Sequence, residues 1–467
     1  MEKTEGLDRL FRPSSLAMVG ASHDDQKGGG LLLKGLIKNR FQGKLYPINP
    51  GEAEIMGLKC YPSVSAVPGE IDGVVIAVPA RRVPRLIAEC GQKGVRFAVV
   101  HSVGFAEMGS VGKELENEMV RVARQYGIRI VGPNCMGIYC PAVGLNTVSP
   151  LTFLEDAVGT VAFVGQSGWS TGNIVRIGYE RGLGFSKVVS IGNQADITIE
   201  DFIRYFADDN ETQVIACYVE GIKRGREFFQ LLKRTSLKKP VIVWKGGKTT
   251  AGVRAAASHT GSLAGNSAVF EAAVWQGGGV SAQNMEELVD LLVGFMCPVL
   301  PQGNRLGILV EAAGGAVASA DILGQLGFEL PALSAATQQA LVAAFKDMLP
   351  ASSSQQNPVD LVWVPFDIGA RIFLQASRLM LRDIDALLIL TYAPLDEYFV
   401  SGLASLRDEA GKPIIVISGW PTEQRPGMRQ LVKHGIPAFS IPERGLKVLA
   451  AMVRYRRYLA ARPSVEG

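Results

Sequence analysis

Residues 159–184 read "GTVAFVGQSGWSTGNIVRIGYERGLG": an apolar run to Gly165, a Gln-Ser-Gly turn, then small and apolar residues at helical spacing closed by Gly182. Strand, tight turn and helix in this order form the repeating unit of a parallel sheet covered on both faces. The same unit returns at 304–327 as "NRLGILVEAAGGAVASADILGQLG". The first part of the chain carries more of them. Short apolar strands are predicted at "SLAMVG" (15–20), "KLYPINP" (44–50), "GVVIAVP" (73–79), "FAVVHS" (97–102) and "RIVGPN" (129–134), with amphipathic stretches such as "RRVPRLIAECGQKG" between them. The expected fold is α/β, with three doubly wound domains: a Rossmann-like domain over 1–145 and two flavodoxin-like domains over 146–300 and 301–467.

The last two domains read as internal copies. "KKPVIVWKGG" (238–247) matches "GKPIIVISGW" (411–420), and "QGGGVSAQNMEELVDLLVGF" (276–295) matches "HGIPAFSIPERGLKVLAAMV" (434–453). "GNQAD" (192–196) and "QNPVD" (356–360) share N-x-x-D, which assigns Asp196 and Asp360 to a common turn. Between the first two matches the middle copy is longer, and the excess holds "AAASHTGSLAG" (255–265). The third copy has no equivalent of His259. An insertion on one copy of a duplicated frame points to function, because binding groups concentrate on loops held by rigid elements.

The Gln-Ser-Gly turn exposes helix N–H groups and the positive end of the helix dipole, a ready anion site. Ser167 and Ser170 add hydroxyls, and Gly168 allows close approach. At the matching turn Glu311 is expected to repel an anion. His259 is then a candidate nucleophile for a phosphoryl group. Its neighbours Ser258, Thr260, Gly261 and Ser262 offer donors without bulk to a group of about two negative charges. Glu220, ending "VIACYVE", is the best carboxylate to hold the other ring nitrogen. Each has a plainer reading, His259 as a capped loop residue and Glu220 as a strand-end acid facing water. It is the insertion, the small neighbours and the serine-glycine turn together that favour chemistry.

The bulk numbers exclude other classes. A net charge of +4, dispersed along 467 residues, makes no nucleic-acid surface. No apolar run is long enough to span a membrane and the N-terminus has no apolar leader, so a cytoplasmic protein is expected. Six cysteines without zinc spacing read as reduced thiols, and no metal site is expected. The first domain lacks both anchors of a nicotinamide site. Its first turn is "GASHDDQKGGG" rather than G-x-G-x-x-G, and its second strand ends in Asn49-Pro50 rather than an acid. Gly28–Gly30 fall where a helix must start near a ligand.

Together "VGAS" (19–22), "GKLYPINP", "GVVIAVPA", "GFAEMGSVGKELENEM" (104–119), "IRIVGPNCMG" (128–137), "QSG", "GNQAD", "YVEGI" and "ASHTGSLAG" resemble the α subunit of NDP-forming acyl-CoA synthetases, relatives of succinyl-CoA synthetase. The resemblance implies an ADP- or GDP-forming acyl-CoA ligase acting through phosphorylated His259, with Gln166, Ser167 and Gly168 cradling the phosphate and Glu220 steadying the imidazole. It implies coenzyme A at Gly20, Ala21, Ser22, Lys44, Asn49, Val78, Pro79 and Asn134. ATP or GTP with Mg would sit on a separate ATP-grasp β subunit, since nothing here resembles that module. A small carboxylic acid is the implied substrate, and a hetero-oligomer or homodimer the implied assembly. Asn266 departs from the acid usual in the family, and "VEAAGG" from its serine-glycine turn. Two alternatives stay open: an acyl or carbamoyl transferase without phosphohistidine, and a non-catalytic coenzyme A-binding protein.

Overall fold

The computed structural model describes residues 6–148, 157–254, 266–346, 348 and 353–462. Near-continuous apolar strands produce the expected buried parallel sheets. β1 (Ser15–Val19), β5 (Gly73–Ile76) and β6 (Phe97–Val100) have every residue buried. With β2 (Lys44–Ile48) and β7 (Arg129–Val131) they pair in the order β2-β1-β5-β6-β7, all parallel. Two further strands, β3 (Glu54–Ile55) and β4 (Leu58–Lys59), form a small hairpin.

The second sheet adds β8 (Gly137–Cys140), β9 (Leu145–Asn146), β10 (Val158–Gly165), β11 (Phe185–Ser190), β12 (Val214–Val219), β13 (Val241–Lys245) and β14 (Val280–Ala282). Its order is β14-β13-β12-β10-β11-β8-β9, and β8 joins β11 antiparallel, Val188 opposite Tyr139. The pair β8–β9 therefore belongs to the second sheet, although β8 precedes the boundary expected at 145/146 and β9 straddles it. The third sheet contains β15 (Leu306–Val310), β16 (Val359–Asp360), β17 (Ala386–Thr391), β18 (Ile414–Ser418) and β19 (Ala438–Phe439), ordered β16-β15-β17-β18-β19.

Read from its first parallel strand, each sheet has the order 2-1-3-4-5, the doubly wound pattern whose ligand crevice opens at the carboxyl ends beside strand 1. Matching order in the second and third sheets agrees with an internal duplication. The N-x-x-D correspondence does not hold. Asp360 lies within β16, whereas Asp196 lies beyond the end of β11 and accepts hydrogen bonds from Ile130 N and Arg129 Nε, both at 2.9 Å. The two motifs occupy different places, so no turn is shared.

By contacts the chain forms two compact units, Met1–Arg176 with Gly184–Met285, and Ile177–Leu183 with Glu286–Gly467. The first holds two sheets. One of its cores runs through both, from Leu16 and Met18 to Val164, Ile215 and Val243. Phe11, Phe202, Tyr205 and Phe206 join it, with Phe11 stacked on Tyr205 at 5.4 Å. Burying each such ring contributes roughly 1.5–3 kcal/mol, enough in sum to fix the N-terminal helix (Leu7–Phe11) to the second sheet.

Candidate functional site

At the carboxyl end of the first sheet the backbone is crowded enough to dictate residue type. Gly20 has φ +88°, and a Cβ there would fall inside the Ala77 carbonyl oxygen and 2.9 Å from Val78 Cγ1. Asn49 Nδ2 donates to Ala21 O (2.8 Å), and Asn49 Oδ1 accepts from Gly51 N (2.9 Å). Ser22 Oγ accepts from Asp24 N. Ser102 Oγ accepts from Val78 N at 3.2 Å and donates to Val78 O, and Asn134 N donates to Ser102 O at 3.0 Å. Gly20, Ala21, Asn49, Val78 and Asn134 thus gather at the carboxyl end of the first sheet, with Ser22 and Pro79 next to them in the chain. Lys44 does not join them. It opens β2 opposite Ser15, at the amino ends of the strands, so parallel geometry carries it away.

Two members of the triple glycine answer to packing. A Cβ on Gly29 would run into Gly20 O, and one on Gly30 into Asp24 O. Gly28 meets nothing within 4 Å and starts a helix (Gly28–Lys38) with no side-chain cap. That open, uncapped N-terminus leaves backbone N–H groups free to face an anion.

Loops of the second sheet are built against this crevice. Gly192 has φ +51°, and a Cβ there would strike the carbonyl oxygens of Pro133 and Asn134. Asn134 Nδ2 donates to Asn193 Oδ1 at 3.3 Å, and Asn193 Nδ2 donates to Glu107 Oε2 (2.6 Å) and Glu116 Oε2 (3.0 Å). Burial raises the Glu107 carboxyl, but hydrogen bonds from Asn193, Gly104 and Phe105 outweigh it and hold the group below its usual range. Lys223 Nζ donates to Asn193 O (3.0 Å) and Gln194 O (2.5 Å), and burial lowers its pKa.

The Gln-Ser-Gly turn follows β10. The Gln166 side chain is buried and spans to the neighbouring strand end. Its Oε1 accepts from Glu220 N and from Gly221 N (3.0 Å), while its Nε2 donates to Gly221 O at 2.7 Å. Ser167 Oγ accepts from Ser170 N (3.3 Å) as the helix Gly168–Glu180 begins. A Cβ on Gly168 would overlap Met136 Cγ, so the turn lies directly against the segment that leaves the crevice at Asn134.

Glu220 is 5% exposed, against the expectation of a water-facing acid as its plainer role. Tyr218 Oη donates to Glu220 Oε1 at 3.2 Å, and Lys245 Nζ donates to Glu220 O at 2.8 Å. Burial, then the Glu220 charge, raises the Tyr218 phenol, which stays a proton donor. Burial lowers Lys245, with Glu220 opposing. A Cβ on Gly246 would sit 2.5 Å from Tyr218 Oη, which accounts for glycine there. Sequence reasoning passed over Tyr218 although the signal was present: residues 218 and 220 share one face of a strand.

His259, Ser258, Thr260 and Gly261 lie outside the described residues. Asn266, just after them, is the N-cap of the helix Ser267–Gln276, accepting from Ala268 N and Val269 N. The departure from an acid is thus a preferred cap. Two other histidines are tied to the backbone, His23 Nε2 to Glu54 O and His434 Nδ1 to Gln430 O, and burial lowers the pKa of His101. The cysteines are free and buried, and burial pushes Cys135 up to about 12, which removes it as a nucleophile. Among the described residues no group of three or more His, Cys, Asp or Glu side chains is placed to hold a metal, and no helix is long and apolar enough to cross a membrane.

Residues 14–141 match the model of a CoA binding domain, and 158–295 that of a succinyl-CoA ligase like flavodoxin domain. The chain is 38% identical to the α subunit of acetate–CoA ligase [ADP-forming] II of Pyrococcus furiosus, over 94% of this chain and 95% of that one. It is 30% identical to the 4-hydroxybutyrate–CoA ligase [ADP-forming] of Nitrosopumilus maritimus, over 97% of this chain and 65% of that longer one. Among solved structures it resembles the dinucleotide forming acetyl-coenzyme A synthetase 1 of Ca. Korarchaeum cryptofilum, in complex with phosphate and ADP. There the TM-score is 0.85 and the identity 37%, over 98% of this chain and 99% of that one.

Proposed function

The chain belongs to the ADP-forming acyl-CoA ligase family, and we propose that it makes an acyl-CoA from a small carboxylic acid by way of phosphorylated His259. Coenzyme A lies in the crevice of the first sheet, on Gly20, Ala21, Ser22, Asn49, Val78, Pro79 and Asn134. Residues 1–145 form the coenzyme domain, 146–300 the phosphohistidine domain, and 301–467 a partner or assembly domain. ATP or GTP with Mg is held by a separate ATP-grasp β subunit. Six free, buried thiols fit a reducing, cytoplasmic setting.

The chemistry runs in three transfers. His259 takes the γ-phosphoryl of the nucleotide, releasing the diphosphate. It hands the phosphoryl to the substrate carboxylate, giving an acyl phosphate. The sulfur of coenzyme A then attacks the acyl carbon, the thiol proton is lost, and inorganic phosphate leaves. Ser167 and the first N–H groups of the Gly168–Glu180 helix face the phosphate and stabilise its charge. Glu220 accepts the far ring N–H of His259, with Tyr218 and Gln166 holding the carboxylate and its backbone.

The observation that carries this reading is Gln166. One side chain ties the phosphate turn to the Glu220 backbone, and the turn abuts Met136 at the edge of the coenzyme crevice. The test is incubation of the chain with labelled phosphate and a panel of acyl-CoAs, acetyl and 4-hydroxybutyryl among them. The expected result is an acid-labile, base-stable label that His259→Ala lacks, with the productive acyl-CoA naming the acid. No label from any member, with an ATP-grasp partner supplied, overturns the phosphohistidine reading.

A further inference from the structure

Four arginines converge on one cleft in the unit that carries the third sheet. The cleft encloses about 190 Å³ and is lined by Arg181, Arg425, Arg429, Arg444, Ser440 and Glu180, among others. Two of the arginines are neutralised. Arg444 donates to both oxygens of Asp290, through Nε at 2.7 Å and Nη2 at 2.6 Å, and its Nη1 pairs with Glu286 at 2.8 Å. Arg181 shares the same Asp290 at 3.0 Å and donates to Ala438 O at 3.2 Å. This latch fixes the cleft's wall and consumes Asp290 and Glu286.

The other two are not neutralised. Arg429 has its guanidinium 4.4 Å from the ring centre of Tyr179, a contact that orients the fork without cancelling its charge. The Arg425 side chain has no hydrogen-bond or ion-pair partner among the described residues, and Glu180 is itself engaged. Two helices also begin here. Arg425 opens Arg425–Lys433, and Ser440 precedes Pro442–Ala460, in which Arg444 stands in the first turn. Neither has a side-chain cap, so the first N–H groups of both are left without a side-chain acceptor, beside the arginines that these first turns carry, Arg425 and Arg444. Two free guanidinium forks and two uncapped helix starts suit a small, doubly charged oxyanion better than a single carboxylate.

We infer that this cleft binds a phosphate group, free or on a small molecule, between Arg425 and Arg429 at a site separate from the Gln-Ser-Gly turn. The inference does not depend on the phosphohistidine. The full chain, carrying Ser167→Ala and saturated with coenzyme A, is titrated calorimetrically at low salt with inorganic phosphate and with pyrophosphate. Saturable binding of one equivalent is expected. Arg425→Gln with Arg429→Gln should weaken it at least about tenfold, as expected for loss of charge-assisted bonds, without lowering the melting temperature. Arg425→Gln alone gives the same readout should the double variant fold poorly. Unchanged affinity in these variants, or no saturable binding by either anion, overturns the proposal. So does a glutamate-rich peptide that binds more tightly than pyrophosphate, since that makes the cleft a carboxylate docking surface.

Discussion

Two turns in this chain occupy the same place in two copies of one scaffold, and one is neutral where the other carries a carboxylate. Gly165 lies opposite Tyr218, and Val310 opposite Leu390, so Gln166 corresponds to Glu311. Both side chains do the same mechanical work. Gln166 accepts from the backbone N–H groups of Glu220 and Gly221, and Glu311 from those of Tyr392 and Ala393. The amide has a second face and satisfies Gly221 O itself. The carboxylate has none, and Gln424 Nε2 supplies the donors to Tyr392 O (3.2 Å) and Ala393 O (3.1 Å) instead. The brace persisted while its charge changed. Glu311 was expected to confront an anion from the turn, but it is turned inward, 2% exposed and buried under its helix.

Writing the third-sheet turn into the second, one residue at a time, tests which difference matters. Gln166→Glu should have the largest effect. It sets a carboxylate oxygen against Gly221 O in place of the Nε2 donor and adds a second carboxylate beside Glu220. Loss of the bond with a buried acceptor left unpaired costs roughly 1–3 kcal/mol. The added charge should slow labelling of His259 about 100-fold, by the scale of a lost oxyanion donor. Thermal melting and the labelling rate measure the two effects, and a variant labelled at the wild-type rate breaks the comparison. Gly168→Ala, which copies Ala313, should rank next. The new methyl meets Met136 Cγ, an overpacking of roughly 1–3 kcal/mol. Met136→Ala should restore part of the loss, a coupling that two independent sites would not show.

How far the sequence carried the fold follows from the same physics. Apolar runs ending in glycine, proline or asparagine marked the strands, and "KKPVIVWKGG" against "GKPIIVISGW" placed β13 and β18 in equivalent positions. N-x-x-D misled because four letters carry no register: Asp360 is a strand residue and Asp196 a loop anchor for Arg129. Lys44 misled because a motif names a strand without saying which end meets the ligand. Glu220 and the Gln-Ser-Gly turn were named together from the sequence, and they do lie side by side. The cross-strand brace was not, since the partners of Gln166 are more than fifty residues away and no local pattern encodes their pairing. Asn193, read as part of a repeat, bridges Glu107 and Glu116 for the same reason.

Tyr218→Phe sharpens the comparison from the other side, because the third copy has Leu390 at that register. Removing the hydroxyl takes one hydrogen bond from Glu220 and leaves the ring packed 4.5 Å from Trp244. A loss of about 1 kcal/mol in stability is expected. Labelling of His259 should slow roughly three- to tenfold, in line with a misplaced orienting carboxylate rather than an absent one. Wild-type labelling with reduced melting temperature would confine Tyr218 to packing.

The smallest effect belongs to the reverse exchange, Glu311→Gln. Labelling of His259 should not change, since this turn carries no part of the proposed reaction. Stability should change with pH, and the sign is fixed. Burial raises the Glu311 carboxyl above its ordinary value, and the hydrogen bonds from Tyr392, Thr391 and Ala393 only partly offset it. The folded protein therefore binds this proton more readily than the unfolded chain, whose carboxyl titrates near ~4.3. Glu311's favourable contribution is complete below that value and is lost as pH rises through the raised folded one. Glutamine has no such dependence. The melting temperature of Glu311→Gln relative to wild type should rise from pH 4.5 to 7.5, with Gln424 competing for the same carbonyls and keeping the gain small. A relative melting temperature that instead falls over this interval would mean that the three donors outweigh burial, and that the third-sheet turn holds its charge as comfortably as the second holds its amide.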